Sequence, residues 1–68
     1  MTSATQKARQ AFQQFTGGEL DKWSMYATIF ALMDARAITL QALCSIAPDY
    51  GVTAGAIQMS RIDWLAMK

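Results

Sequence analysis

Residues 20–37, LDKWSMYATIFALMDARA, decide the fold, because they form the longest helix-compatible run in the chain and the most apolar one. At about 100° per residue, Trp23, Tyr26, Phe30, Met33 and Ala37 fall on one stripe with steps alternating between three and four. Met25, Ile29 and Leu32 make a second stripe beside it, and Leu20, Ala27 and Ala31 a third. A helix apolar on nearly every side has to be surrounded by protein. The pattern predicts a helical bundle built around this segment, and the remaining residues must supply its cover.

Working outward, Thr16 and Glu19 match a T-x-x-E capping box around Gly17 and Gly18, with Phe15 and Leu20 placed to close a hydrophobic staple. These signals start the central helix at residue 17, and Asp21 and Arg36 suit the dipole at its two ends. Upstream, Ser3 and Gln6 can form another capping box, after which Ala4, Ala8, Ala11 and Phe15, with Phe12 beside them, line one face of a helix over residues 4–15. Its other face, Gln6, Lys7, Arg9, Gln10, Gln13 and Gln14, is a solvated one. Downstream, Thr39 can cap a helix over residues 39–47 bearing Leu40, Leu43, Ile46 and Ala47, which Pro48 ends by removing a donor. Asp49, Tyr50 and Gly51 read as a turn. Thr53 is the next cap, Val52 and Ile57 stand where a staple would, and a last helix covers residues 54–67. No segment alternates as a strand does. The expected fold is all-α: a compact bundle of about four helices in a single domain spanning residues 1–68.

A domain of 68 residues buries a modest share of its surface. Yet 53% of this chain is hydrophobic, and a lone cysteine leaves no disulfide to staple it. Self-association is the natural remedy, so a homodimer is expected. Residues 4–15 can cover part of the central helix, and Leu43, Ile57 and Trp64 can cover the seam from Trp23 to Met33. That leaves Met25, Ile29 and Leu32 as the predicted intermolecular surface. The apolar run over residues 25–33 is too short for a membrane span, which needs about 20 apolar residues. The N-terminus lacks the apolar core of a secretory signal. A cytoplasmic location with no membrane partner is the corresponding expectation. Cys44, between Leu43 and Ile46 in neighbourhood, reads as a small buried hydrophobe.

Catalytic chemistry finds little to stand on. There is no histidine, which removes the commonest general base and any histidine-bearing metal site. Glu19, Asp21, Asp34, Asp49 and Asp63 each have a local role as cap, turn or surface charge, and no spacing forces a pair together. Gly17 and Gly18 are not followed by the lysine of a phosphate loop. A non-enzyme without cofactor or metal is expected.

One segment carries an ordered pattern. In residues 39–65, TLQALCSIAPDYGVTAGAIQMSRIDWL, Ala47 stands four residues before Gly51 and Ile57 six after it. This spacing of small, turn and buried apolar positions resembles the helix-turn-helix of small bacterial, phage and plasmid transcriptional regulators, and it covers under half of the chain. The resemblance implies that Gly51 makes the turn, that Val52 and Ile57 anchor the packing, and that Thr53, Ala54 and Gln58 face a DNA groove with Arg61 one turn later. A threonine can serve phosphate, a glutamine an adenine edge and an arginine phosphate or guanine. Pro48 departs from the pattern by ending the first helix of the unit early. The last helix is also more apolar than a groove helix usually is, through Met59, Ile62 and Trp64. With six basic against five acidic residues, the net charge of +1 gives no general attraction to phosphate.

Two functions follow from different classes. One is a dimeric DNA-binding transcriptional regulator that sets Gly51 and residues 52–68 against duplex DNA. The other is a small helical protein–protein interaction module, an inhibitor or adaptor of the kind phages and plasmids carry, that meets a protein partner through an apolar helix face. Five methionines and seven aromatic residues suit such a surface and equally suit a core.

Overall fold

The computed structural model describes residues 3–67 and places four α-helices around one core. Helix α1 (Ala4–Thr16) starts where Ser3 accepts the Gln6 N–H at 3.2 Å, as its capping sequence requires. Helix α2 (Lys22–Asp34) crosses it in the most extensive helix pairing of the molecule. Helix α3 (Leu40–Ile46) is capped by Thr39, which accepts the Ala42 N–H at 3.1 Å. A 3₁₀ turn (Ala47–Tyr50) holding Pro48 extends it, Gly51 reverses the chain at φ 76°, and α4 (Ala54–Met67) begins where Thr53 accepts the Ala56 N–H at 3.1 Å. Among the described residues there is no strand, and no helix is long and apolar enough to cross a membrane. Lys68, the last residue of the segment expected to face DNA, lies outside the described residues.

The central helix is shorter than its apolar run at both ends. Thr16 does not cap α2. It is the last residue of α1, and its hydroxyl donates back to the Gln13 carbonyl at 2.9 Å. The glycine pair explains the difference: Gly18 takes a left-handed φ of 81°, and the Gly17, Gly18, Glu19 and Leu20 N–H groups fold back onto carbonyls of the last turn of α1. Satisfying those carbonyls outcompetes starting a new helix at Gly17. Asp21 becomes the cap residue instead, and its carboxylate accepts from the Ser24 hydroxyl. At the other end Arg36 adopts φ 59°, the Arg36 N–H reaches Met33 O at 2.9 Å and the Ala37 N–H reaches Leu32 O at 2.9 Å. This is a Schellman closure with an arginine where glycine is usual, and it leaves Ala37 off the helix.

The core is closed within one chain. Phe12, Met25, Ile29, Phe30, Leu43 and Ile57 are fully buried, with Ala8, Ala11 and Ala47 filling the spaces between helices. The Cα radius of gyration is 10.9 Å; a compact chain of this length is expected at about 11 Å. The prediction that Met25, Ile29 and Leu32 form an intermolecular surface is therefore overturned: Met25 and Ile29 are 0% exposed in the single chain and Leu32 is half-buried against the same core. The reason is the small size of Ala8 and Ala11, which lets α1 lie close enough to α2 to cover this stripe as well. Trp23, expected in the core seam, is instead 46% exposed. Cys44 is half-buried rather than enclosed.

Candidate interaction surface

Helix α4 is held to α2 by a polar latch set on an aromatic stack. Tyr26 and Phe30 stack at 5.4 Å between ring centroids, Phe30 meets Trp64 at 5.8 Å, and Trp23 lies edge-on to Tyr26 at 6.1 Å. Above Phe30 sits the Arg61 guanidinium, 5.4 Å from the ring centroid. Arg61 Nη2 donates to Asp34 Oδ1 at 2.7 Å, and Trp64 Nε1 donates to Asp34 Oδ2 at 3.4 Å. Residues 61 and 64 are neighbours on one helix face, so one carboxylate at the end of α2 gathers both. Arg61 Nη1 is buried with no hydrogen-bond partner among the described residues, and the ring face of Phe30 is the favourable surface left to it.

This latch fixes which side of α4 points inward. Ile57 is fully buried and Ser60 nearly so, with Arg61 and Trp64 half-buried beside them. Across the helix, Gly55, Met59, Ile62 and Ala66 fall within an arc of about 60° at 100° per residue, and all four are exposed. Met59 is 70% exposed, Ile62 68% and, on the flank, Leu65 53%. Gln58 and Asp63 border the strip. No charged residue lies on it. On the other side of α4, Trp23, Ser24, Ala27, Trp64 and Met67 line an open groove of about 440 Å³ against α2.

The residues singled out from sequence separate in space. Gly51 makes the turn, and Thr53 is exposed but spends an oxygen lone pair capping α4. Ala54 is half-buried and Gln58 is exposed. Arg61 turns away from Gln58 towards Asp34, with only 18% of its side chain exposed. Asp34 was not singled out as part of a site, because its partner lies 27 residues away and no local spacing announces it. Met59 and Ile62 were visible in sequence as excess apolar residues; their signal is the repeat of four, three and four from Gly55 to Ala66.

Charge is sparse around the site. Asp21 has its carboxyl held below the ordinary value of 3.8, chiefly by the Ser24 hydroxyl, at the far end of α2 from the latch. No three His, Cys, Asp or Glu side chains converge among the described residues. Comparison of the chain with models of known families, with curated proteins and with solved structures finds no match.

Proposed function

We propose that this chain is a small, non-catalytic helical interaction module that meets a protein partner through the outer face of α4. The observation that carries this reading is the uncharged strip of Gly55, Met59, Ile62 and Ala66, two of whose side chains are about 70% exposed on a chain that closes its own core. Interface centres are depleted in charge and enriched in methionine and aromatic residues. Met59 on the strip matches that composition.

The DNA-binding reading is second, and a specific observation favours it: Ala47 and Ile57 are fully buried and Gly51 is left-handed, at the three positions of the resemblance. Electrostatics decides the order. Affinity for duplex DNA rises with the number of phosphates neutralised, and the single cation of α4 among the described residues, Arg61, is already paired with Asp34. A groove-facing α4 would present Met59 and Ile62 beside Gln58 with no cation among them.

Photo-crosslinking in the producing cell tests the choice. A photoreactive residue placed at Ile62 is expected to yield protein adducts, and one placed at the exposed Gln13 on α1 is not. Adducts to nucleic acid from position 58 or 62, or duplex binding that weakens steeply with salt and is lost in Gln58→Ala, would overturn the order of the two readings. An absence of adducts from every exposed position of α4 would remove the interaction reading.

A further inference from the structure

We infer that α4 is a hinged lid: it swings off the aromatic stack of α2 as a unit about Thr53, while α1, α2, α3 and the 3₁₀ turn keep their shared core. The inference goes beyond the interaction reading and stands on the attachment of α4 alone. The helices are unequally held. Ala8, Ala11, Phe12, Met25, Ile29 and Phe30, all at most 2% exposed, seal α1 to α2. The 3₁₀ turn is tied to that pair by Tyr50, which stacks on Phe12 with ring centroids 5.8 Å apart. Val52 is buried, and its N–H donates to the Ala47 carbonyl at 3.1 Å. The chain is therefore anchored as far as Val52. Only Thr53, exposed and outside any helix, separates this anchor from α4. Its hydroxyl accepts from the Ala56 N–H and so travels with the helix it caps.

What holds α4 down is small and partly wet. Of its 14 residues only Ile57 and Ser60 are buried. Beyond Ser60 it is attached through Trp64 on Phe30 and through the Asp34 latch, and past them Trp23, Ala27 and Met67 line a groove open to water. Hydrophobic stabilisation follows the apolar area removed from water, so an element with so little buried opens at a lower free energy than the core it rests on. Docking also carries a cost that opening removes. Arg61 Nη1 is buried with no hydrogen-bond partner among the described residues, and water reaches it once the helix lifts. Beneath Trp64 and Arg61 lies Phe30, 0% exposed. The latch thus decides whether the aromatic face of α2 is shut or open.

Native-state hydrogen exchange, read amide by amide by NMR, tests the lid. The amides of residues 58–64 are expected to exchange through one shared opening, on the order of tenfold or more faster than the slowest amides of α1 and α2. A double variant, Lys7→Gly with Gln10→Gly, weakens α1 at two exposed positions. It should speed the slowest amides of α1 and α2 by about five- to tenfold and leave residues 58–64 unchanged, because α1 stays folded when α4 opens. Asp34→Asn should speed residues 58–64 by about fivefold or more, and no change there would overturn the latch as what holds the lid. Exchange of residues 58–64 at the rate of α1 and α2, or equal acceleration of all helices in the glycine variant, would overturn the lid, since α4 would then leave only when the whole chain unfolds. Residues 58–64 without any protection would overturn the docked state. Should the glycine variant fail to fold, the parent in low urea decides: a shallower urea dependence for residues 58–64 than for α1 and α2 marks a local opening, and equal slopes overturn it.

Discussion

Removing the latch between α2 and α4 should cost a defined amount of stability. Arg61 Nη2 and Asp34 Oδ1 lie 2.7 Å apart, with side chains 18% and 30% exposed. Two unit charges about 4 Å apart attract by about 1 kcal/mol in water and about 4 kcal/mol at an effective dielectric of 20. The exposure of Asp34 puts the pair between these limits, and holding the arginine costs up to about 2 kcal/mol of rotamer freedom. The coupling that remains is about 1–2 kcal/mol. Arg61→Ala also gives up the contact with Phe30, worth about 0.5–1 kcal/mol, so its total cost is expected at about 2–3 kcal/mol. Asp34→Ala should cost about 1–3 kcal/mol, since it leaves the guanidinium without its charged partner. Urea unfolding of both single variants and the double variant, followed by tryptophan fluorescence, gives the coupling directly. Trp64 donates to the same carboxylate and reports on it. Costs of the two single variants that add to within about 0.3–0.5 kcal/mol would refute the latch, and with it the orientation of α4.

Other perturbations read other parts of the structure. Arg36→Gly should stabilise the chain by about 0.5–1 kcal/mol, because relief of a left-handed arginine exceeds the few tenths lost at the helix dipole; its melting temperature should rise by roughly 3–6 °C. Met25→Ala should cost about 2–5 kcal/mol by opening a cavity in the core, whereas Ile62→Ala should stay within about 0.5 kcal/mol of the parent at dilution; equal costs in urea titrations would contradict the assigned burial. Asp21 should stabilise the chain fully at neutral pH and lose that contribution as the pH falls below 3.8 through its lowered pKa. Ser24→Ala should raise that pKa towards the ordinary value, which a carboxyl-detected NMR titration would show.

Much of the fold was legible because it rests on local chemistry. Ser3, Thr39 and Thr53 cap the helices their spacing indicated, and Gly51 is the left-handed turn its position required. The misread boundary at Thr16 shows where local rules compete: the same four residues fit a capping box for α2 and a glycine closure for α1, and the carbonyls of α1 take the glycines. The surface was harder to read. Periodicity shows that Met25, Ile29 and Leu32 share a face, but how close α1 can lie depends on Ala8 and Ala11 meeting that face across a turn. The outward strip of α4 was present as a pattern of apolar residues. What aims it at solvent is the pairing of Arg61 and Trp64 with Asp34, a contact between distant parts of the chain that leaves no local trace.

The protein's own methionines measure the central claim, that α2 is core and the outer face of α4 is the surface offered to a partner. Met25 is 0% exposed, Met59 70% and Met67 65%, and the rate of sulfoxide formation follows exposure. Under mild peroxide oxidation of the dilute, folded chain, read by peptide mass spectrometry, Met59 and Met67 should react at similar rates and Met25 at least tenfold more slowly. Oxidation of Met25 as fast as Met59 in the folded chain would contradict the account, because it would turn α2 outward and remove the reason to look to α4.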